Sequence, residues 1–302
     1  MALDSMQEIF EKMQEGQKPF WKVVQDTDVE ERQVSPEASF EKMRMTWKAM
    51  LETVDTYRGD LRSLSGLVGG DGQRMAEFAA SGKALAGDYL SQVITLALCT
   101  AESNACMRKI VAAPTAGACG VLPAVLIPLY RQEVPEEEIV QGLYVAAGIG
   151  AVIAYRACIA GASGGCQAEI GSASAMAAGT LTAIRGGSAE QIGHATAMAL
   201  KNLMGLVCDP VAGLVEVPCV KRNVVGAVNA ASCADMALAG IESRIPVDQV
   251  IDCMGDVGHR MPEEFRETAL GGLAATPMGQ MVKQQMKSGS ELLRFIGCIK
   301  TR

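Results

Sequence analysis

Runs in which apolar and polar residues alternate are scarce in this chain. Leu214 to Val220, LVEVPCV, is the only plausible short strand. No series of alternating strand and helix patterns appears, and no Asn-Gly or Asp-Gly hairpin sits between β-branched runs. An all-α fold is therefore expected. Helix-entry chemistry points the same way: Pro135 precedes Glu136, Glu137 and Glu138, Ser188 and Gln191 have capping-box spacing, and Pro246 with Asp248 opens a third helix. Aromatic residues make up only 4%, while 32 of 302 residues are glycine, so the helices are expected to pack closely through small side chains.

The first part of the chain differs from the rest. Residues 1–65 are charged and methionine-rich, with Phe40, Met43, Trp47, Met50, Leu51 and Val54 at spacings of three and four, the pattern of an amphipathic helical arm. A Gly/Asp-rich break, GLVGGDGQ from Gly66 to Gln73, separates it from a single helical domain over residues 66–302. Acids outnumber bases by 34 to 27, so the overall balance supplies no cationic field for nucleic acid or an anionic membrane. Two uncharged stretches raise a membrane question, Val111 to Tyr130 and Leu143 to Tyr155. The first is broken by Pro114, Pro123 and Pro128, and the second is too short for a hydrocarbon layer of about 30 Å, so both are expected to be buried in a soluble protein. The first residues carry acids and no apolar signal core, which with ten cysteines predicts reduced thiols in a cytoplasm.

Only two histidines are present, His194 and His259, too few for a histidine-built metal centre or a conventional triad. Among the ten cysteines no two are separated by two residues, so neither a zinc ribbon nor a ferredoxin run is encoded. Cys99, Cys106, Cys158, Cys233 and Cys253 lie in Ala/Leu/Val/Met sequence and read as small buried hydrophobes. Cys166 follows Gly164-Gly165, Cys208 precedes Asp209-Pro210 and Cys219 follows Pro218. These three sit in turn chemistry, where a thiolate can be aimed; metal ligation is one use of such a trio and ordinary packing is another.

Four segments decide between those uses by likeness: ESNACMRKIVAAPTAGACGVLPAVL (Glu102 to Leu126), GASGGCQAEIGSASAMAAG (Gly161 to Gly179), GLVCDPVAGLVEVPCVKRN (Gly205 to Asn223) and FRETALGGLAATP (Phe265 to Pro277). In this order they closely resemble the iron-sulfur-dependent L-serine dehydratases, specifically the catalytic alpha chain of the two-subunit bacterial form, from about Gly82 to Gly279. The resemblance implies a 4Fe-4S cluster on Cys166, Cys208 and Cys219, whose separations of 42 and 11 residues agree with the family's. With three irons ligated, the fourth would serve as Lewis acid toward the serine hydroxyl, giving pyruvate and ammonia without pyridoxal phosphate.

Other roles follow from the same resemblance. PTAGACG, Pro114 to Gly120, matches the family's substrate loop, with Thr115 and backbone amides toward the carboxylate; an ordinary helix entry is the alternative. Ser103 and Asn104 are candidate substrate contacts or local caps, and Ser163 is a candidate near a cluster ligand. Lys201, about two helical turns before Cys208, is a candidate α-proton base; single-chain relatives have an acidic residue and a histidine around this point, where this chain has Lys201 and Asn202. Arg266 is a candidate carboxylate clamp or a structural pair. Cys298 is either a resting-state ligand of the open iron, as in some single-chain relatives, or a tail thiol. A separate beta subunit is the expected partner: single-chain relatives carry that module before the catalytic region, and residues 1 to about 60 are too few to replace it. The amphipathic arm is one candidate surface for that contact. Two other readings stay open, the same chemistry on L-cysteine and a non-enzymatic helical scaffold.

Overall fold

The computed structural model describes residues 3–299, with side chains over residues 3–288; the expectation for Cys298 lies outside the described side chains. Thirteen α-helices follow one another: α1 (Met6–Gly16), α2 (Phe20–Arg32), α3 (Pro36–Asp55), α4 (Asp71–Ala80), α5 (Gly87–Ala105), α6 (Val121–Arg131), α7 (Glu136–Arg156), α8 (Gly161–Gly164), α9 (Ser172–Ile184), α10 (Ala189–Leu203), α11 (Cys219–Leu238), α12 (Val247–Arg260) and α13 (Pro277–Ile299). All three expected helix starts are present. Three acids in the first turn of α7 complement its dipole, Ser188 and Gln191 form the full capping box of α10, and Pro246 sits at the N-cap of α12.

The core is organised around α9, in which every residue from Ser172 to Thr182 is buried. Its sequence, SASAMAAGTLTAI, explains why it can be enclosed by α6, α7, α10 and α11. Small residues let neighbouring backbones come close. A Cβ at Gly179 would stand 2.3 Å from Ile149 Cδ1 and 2.9 Å from Thr196 Oγ1, so that position is already filled by its neighbours. Beyond Ser172 the hydroxyls along α9 are hydrogen-bonded, which keeps their burial inexpensive: Ser174 donates to the Gly226 carbonyl at 2.7 Å, and Thr180 and Thr182 to the Met176 and Ala178 carbonyls at 2.8 Å.

Rings fasten α1–α3 to this small-residue core. Trp47, with no exposed surface, meets Tyr130 edge-on at 5.6 Å, and Phe40 stacks with Tyr144 at 6.2 Å. Met6, Ile9, Phe20, Val23, Trp47 and Met50 belong to the same apolar cluster as α6, α7 and α9. Asp248 of α12 accepts from the Met6 and Gln7 amides at 2.9 and 3.1 Å, capping the N-terminus of α1. The arm's apolar stripe is thus spent on this chain, and any partner contact there falls to its polar side. The break at Gly66–Gln73 runs into α4, whose first turn takes Asp71 to Gln73, with Gly66, Gly69 and Gly70 before it at positive φ.

Two sequence expectations change. Leu214 to Val220 is not a strand: Val217–Pro218 is a cis peptide, Cys219 begins α11, and among the described residues the one isolated β-bridge joins Cys208 to Arg266. The five cysteines read as core also divide, since Cys99 and Cys233 are buried while Cys106 and Cys158 are partly buried and Cys253 is exposed on α12. Helix α7 is long and apolar enough to cross a membrane by length and composition, and in this fold it is a mostly buried helix packed on α2 and α9.

Candidate active site

Each of the three turn cysteines sits at an element boundary that the local sequence creates. Gly165, at φ 75°, turns the chain between α8 and a π-helical turn, Gln167–Gly171, and Cys166 caps that turn. Gly165 also lets two segments touch, because a Cβ there would lie 2.5 Å from the Met261 sulfur and 3.0 Å from the Leu206 carbonyl. Cys208 stands in the extended link after α10, its amide donating to the Phe265 carbonyl at 2.7 Å and its carbonyl accepting from Glu267 at 2.8 Å. Cys219 is the first residue of α11, where the helix dipole favours a thiolate.

Side chains from these segments then lock one to another. Gln167 donates its amide to Leu206 at 2.9 Å and accepts from Gly205 at 2.8 Å, tying the Cys166 turn to the chain before Cys208. Asn223, one turn into α11, accepts from Gly120 at 2.8 Å and donates to Gly117 at 2.7 Å and Cys219 at 3.0 Å, so the Pro114–Gly120 loop is anchored on the helix that Cys219 begins. Glu216 is buried and accepts from the hydroxyls of Ser63, at 2.6 Å, and Ser65. That carboxylate explains why LVEVPCV is a pinned loop and not a strand.

The three thiols are buried and stand within electrostatic range of one another. Burial pushes Cys166 up to about 11, against the nearby Arg222 charge that lowers it. Burial lifts Cys219 to about 12, with Cys166 and Glu169 adding to the rise. Cys208 is raised furthest, by burial first and then by Cys166 and Cys219. Three enclosed thiols that hinder one another's ionisation are a poor arrangement for free thiolates and a suitable one for a cationic guest that takes all three. Among the described residues no group of three His, Cys, Asp or Glu side chains is close enough to grip a single metal ion. A cluster asks for wider spacing, since each thiolate bonds a different iron. Arg266, paired with Cys208 through the bridge, has a buried Nε without a partner, an unmet donor beside the same place. The donor set therefore fits an iron-sulfur cluster better than a lone ion.

A carboxylate that sequence reasoning missed faces this trio. Glu169 accepts from the Thr115 hydroxyl, and a Cβ at Gly117 would lie 2.7 Å from both Glu169 oxygens. Burial raises its carboxyl above the usual range, the Thr115 bond opposes this, Glu267 raises it further and Arg222 lowers it. Its signal in the sequence is a lone acid in GGCQAEIGSASA, three residues after Cys166.

The predicted substrate contacts scatter around this point. Thr115 lies at it. Asn104, at the end of α5, donates to the Ala116 carbonyl at 3.1 Å and so supports the same loop. Ser103 is turned inward, its hydroxyl donating to Cys99 at 2.8 Å within α5. Ser163 is exposed on α8, three residues before Cys166. Lys201 is not brought to the thiols: its ammonium donates to Ser243 at 2.9 Å and its charge acts on Cys233. The helical spacing that would have carried it toward Cys208 ends at Leu203, and Gly205, at φ 86°, redirects the chain. His194 accepts from the Ser243 amide at 3.3 Å and His259 is exposed.

Comparison with known proteins places most of the chain among relatives. Residues 11–274 match the family described as serine dehydratase alpha chain. A probable L-serine dehydratase alpha chain of Bacillus subtilis is 44% identical over 269 residues, covering 89% of each chain. The L-serine dehydratase alpha chain of Peptoniphilus asaccharolyticus is 46% identical over 74% of this chain and 77% of its own. A probable L-serine dehydratase alpha chain of Latilactobacillus sakei is 52% identical over 66% of this chain and 96% of its own.

Proposed function

The chain belongs to the serine dehydratase alpha-chain family, and from that premise we propose that it is an L-serine ammonia-lyase, converting L-serine to pyruvate and ammonia. The observation that carries this reading is the meeting of Cys166, Cys208 and Cys219 beside the Thr115–Glu169 pair. Cys166, Cys208 and Cys219 would hold a 4Fe-4S cluster. When bound, it supplies a Lewis acid for the substrate hydroxyl through the iron that lacks a cysteine.

The rest of the work belongs to the polypeptide. Dehydration requires a proton to leave Cα as hydroxide leaves Cβ, and hydroxide departs poorly unless polarised. The Pro114–Gly120 loop offers its backbone amides to the substrate carboxylate and holds the Thr115 hydroxyl against Glu169, while Asn104 and Asn223 keep that loop in shape. Asn104 and Ser163 have further hydrogen-bonding capacity toward the substrate, whereas Ser103 acts from behind through α5. Glu169 is our candidate for the α-proton in place of Lys201: its Oε atoms face the loop, and a carboxyl lifted by burial holds a proton more readily than a surface one. The alpha-chain names of the relatives support a separate beta subunit as partner, and reduced thiols suit a cytoplasmic setting.

Purified anaerobically and supplied with iron, sulfide and the beta subunit, the protein is expected to form pyruvate from L-serine faster than from L-cysteine, and to prefer L-serine over L-threonine. Preference for L-cysteine would move the assignment to a desulfidase. Turnover by an iron-free protein would overturn the cluster reading.

A further inference from the structure

Arg222 lies one turn into α11 beyond Cys219, with its side chain 14% exposed against 5% for its partner Asp209. Its Nη1 donates to the Val207 carbonyl at 2.7 Å and its Nη2 to Asp209 Oδ1 at 2.9 Å, and its charge acts on the Cys166 thiol. One side chain thus grips both neighbours of Cys208 while growing from the helix that Cys219 starts. Asp209 cannot swing away with it. Its second oxygen accepts from the Leu273 amide at 2.8 Å, and Gly272 lies so close that a Cβ there would be 2.4 Å from Oδ2.

We propose that Arg222 is a positioning residue that clamps the Cys208 and Cys219 segments into one register and supplies a fixed positive charge beside the three thiols, an inference that rests on the iron-sulfur reading above. Only arginine combines the two tasks. Its fork reaches several acceptors at set angles and its charge does not titrate, whereas a lysine keeps the charge without the fork. Buried pairing with Asp209 leaves the guanidinium oriented, as residues behind metal ligands commonly are.

The test compares wild type, Arg222→Lys and Arg222→Gln. Each is first examined as apoprotein by circular dichroism, then reconstituted anaerobically with iron and sulfide. Iron release to a chelator and the reduction potential of the bound cluster are measured, both independent of turnover. Arg222→Gln is expected to release iron about tenfold to a hundredfold faster, with a more negative potential. Arg222→Lys is expected to keep a potential near wild type and still release iron faster. Loss of folding alone would not move the potential, so the shift reports the charge itself. If Arg222→Gln does not fold, Arg222→Lys decides alone. Wild-type release rates in Arg222→Lys, or in a folded Arg222→Gln, overturn the inference while leaving the cluster in place. A wild-type chain that takes up no iron overturns the underlying reading and this inference with it.

Discussion

Cys99 and Cys233 are as deeply buried as Cys166, Cys208 and Cys219, all five at 6% exposure or less, yet the two sets have different neighbours. The first set is solitary. Burial dominates each thiol, raising Cys99 to about 12 and Cys233 to about 11, and no other cysteine contributes. The second set stands at element boundaries, where three strands of chain cross and each of Cys208 and Cys219 feels another member. Burial therefore does not mark a ligand here. What sets the proposed ligands apart is a turn that aims each thiol and the polar residues Arg222, Asn223, Gln167 and Glu216 that hold those turns.

The largest effect that separates the two regions is catalytic. Glu169→Gln keeps the shape and the bond from Thr115 but removes the basic oxygen, so kcat is expected to fall by about 10²–10⁴ with iron content unchanged. Normal turnover in that variant would return the proton to a residue outside this cluster. A smaller effect is expected in the solitary set. Cys99→Ser and Cys233→Ala should each lower apoprotein stability by about 1–2 kcal/mol in denaturant titrations, without changing iron uptake. If either abolished uptake, the division into two sets would fail.

The least effect is a slope with pH. Burial holds these thiols above the 9.0 of a free thiol, so the unfolded chain releases those protons first and stability should fall as pH rises from about 9 toward about 12. In apoprotein both sets contribute to that loss. In the reconstituted protein the ligands are already thiolates, so only the solitary set should remain, and thermal melts across that range should show a shallower slope.

What the sequence made legible depends on how local the signal was. The starts of α7, α10 and α12 were readable because a proline, a serine and a few acids act on their own first turn. The turn cysteines were readable for the same reason, and the four motifs supplied their role. LVEVPCV misled because what shapes it is remote: Glu216 is bound by Ser63 and Ser65, some 150 residues earlier. Lys201 misled because helical spacing was extended past Leu203, where the chain turns. Cys253 misled because its apolar neighbours Val250, Ile251 and Met254 face the core while it lies on the open side of the amphipathic helix. Glu169 and Arg222 sat inside the quoted motifs in plain view, but Glu169 pairs with Thr115 of another motif and Arg222 reaches back across the turns between Asp209 and Cys219, and one chain read alone offers no way to pair them.

The central claim, that one set of buried cysteines holds a cluster and the other only packs, is tested most directly by counting iron and sulfide. After anaerobic reconstitution the wild type, Cys99→Ser and Cys233→Ala should each carry about four irons and about four sulfides per chain, and Cys166→Ser, Cys208→Ser and Cys219→Ser close to none. Equal counts across all six proteins, or loss confined to the solitary set, would contradict it.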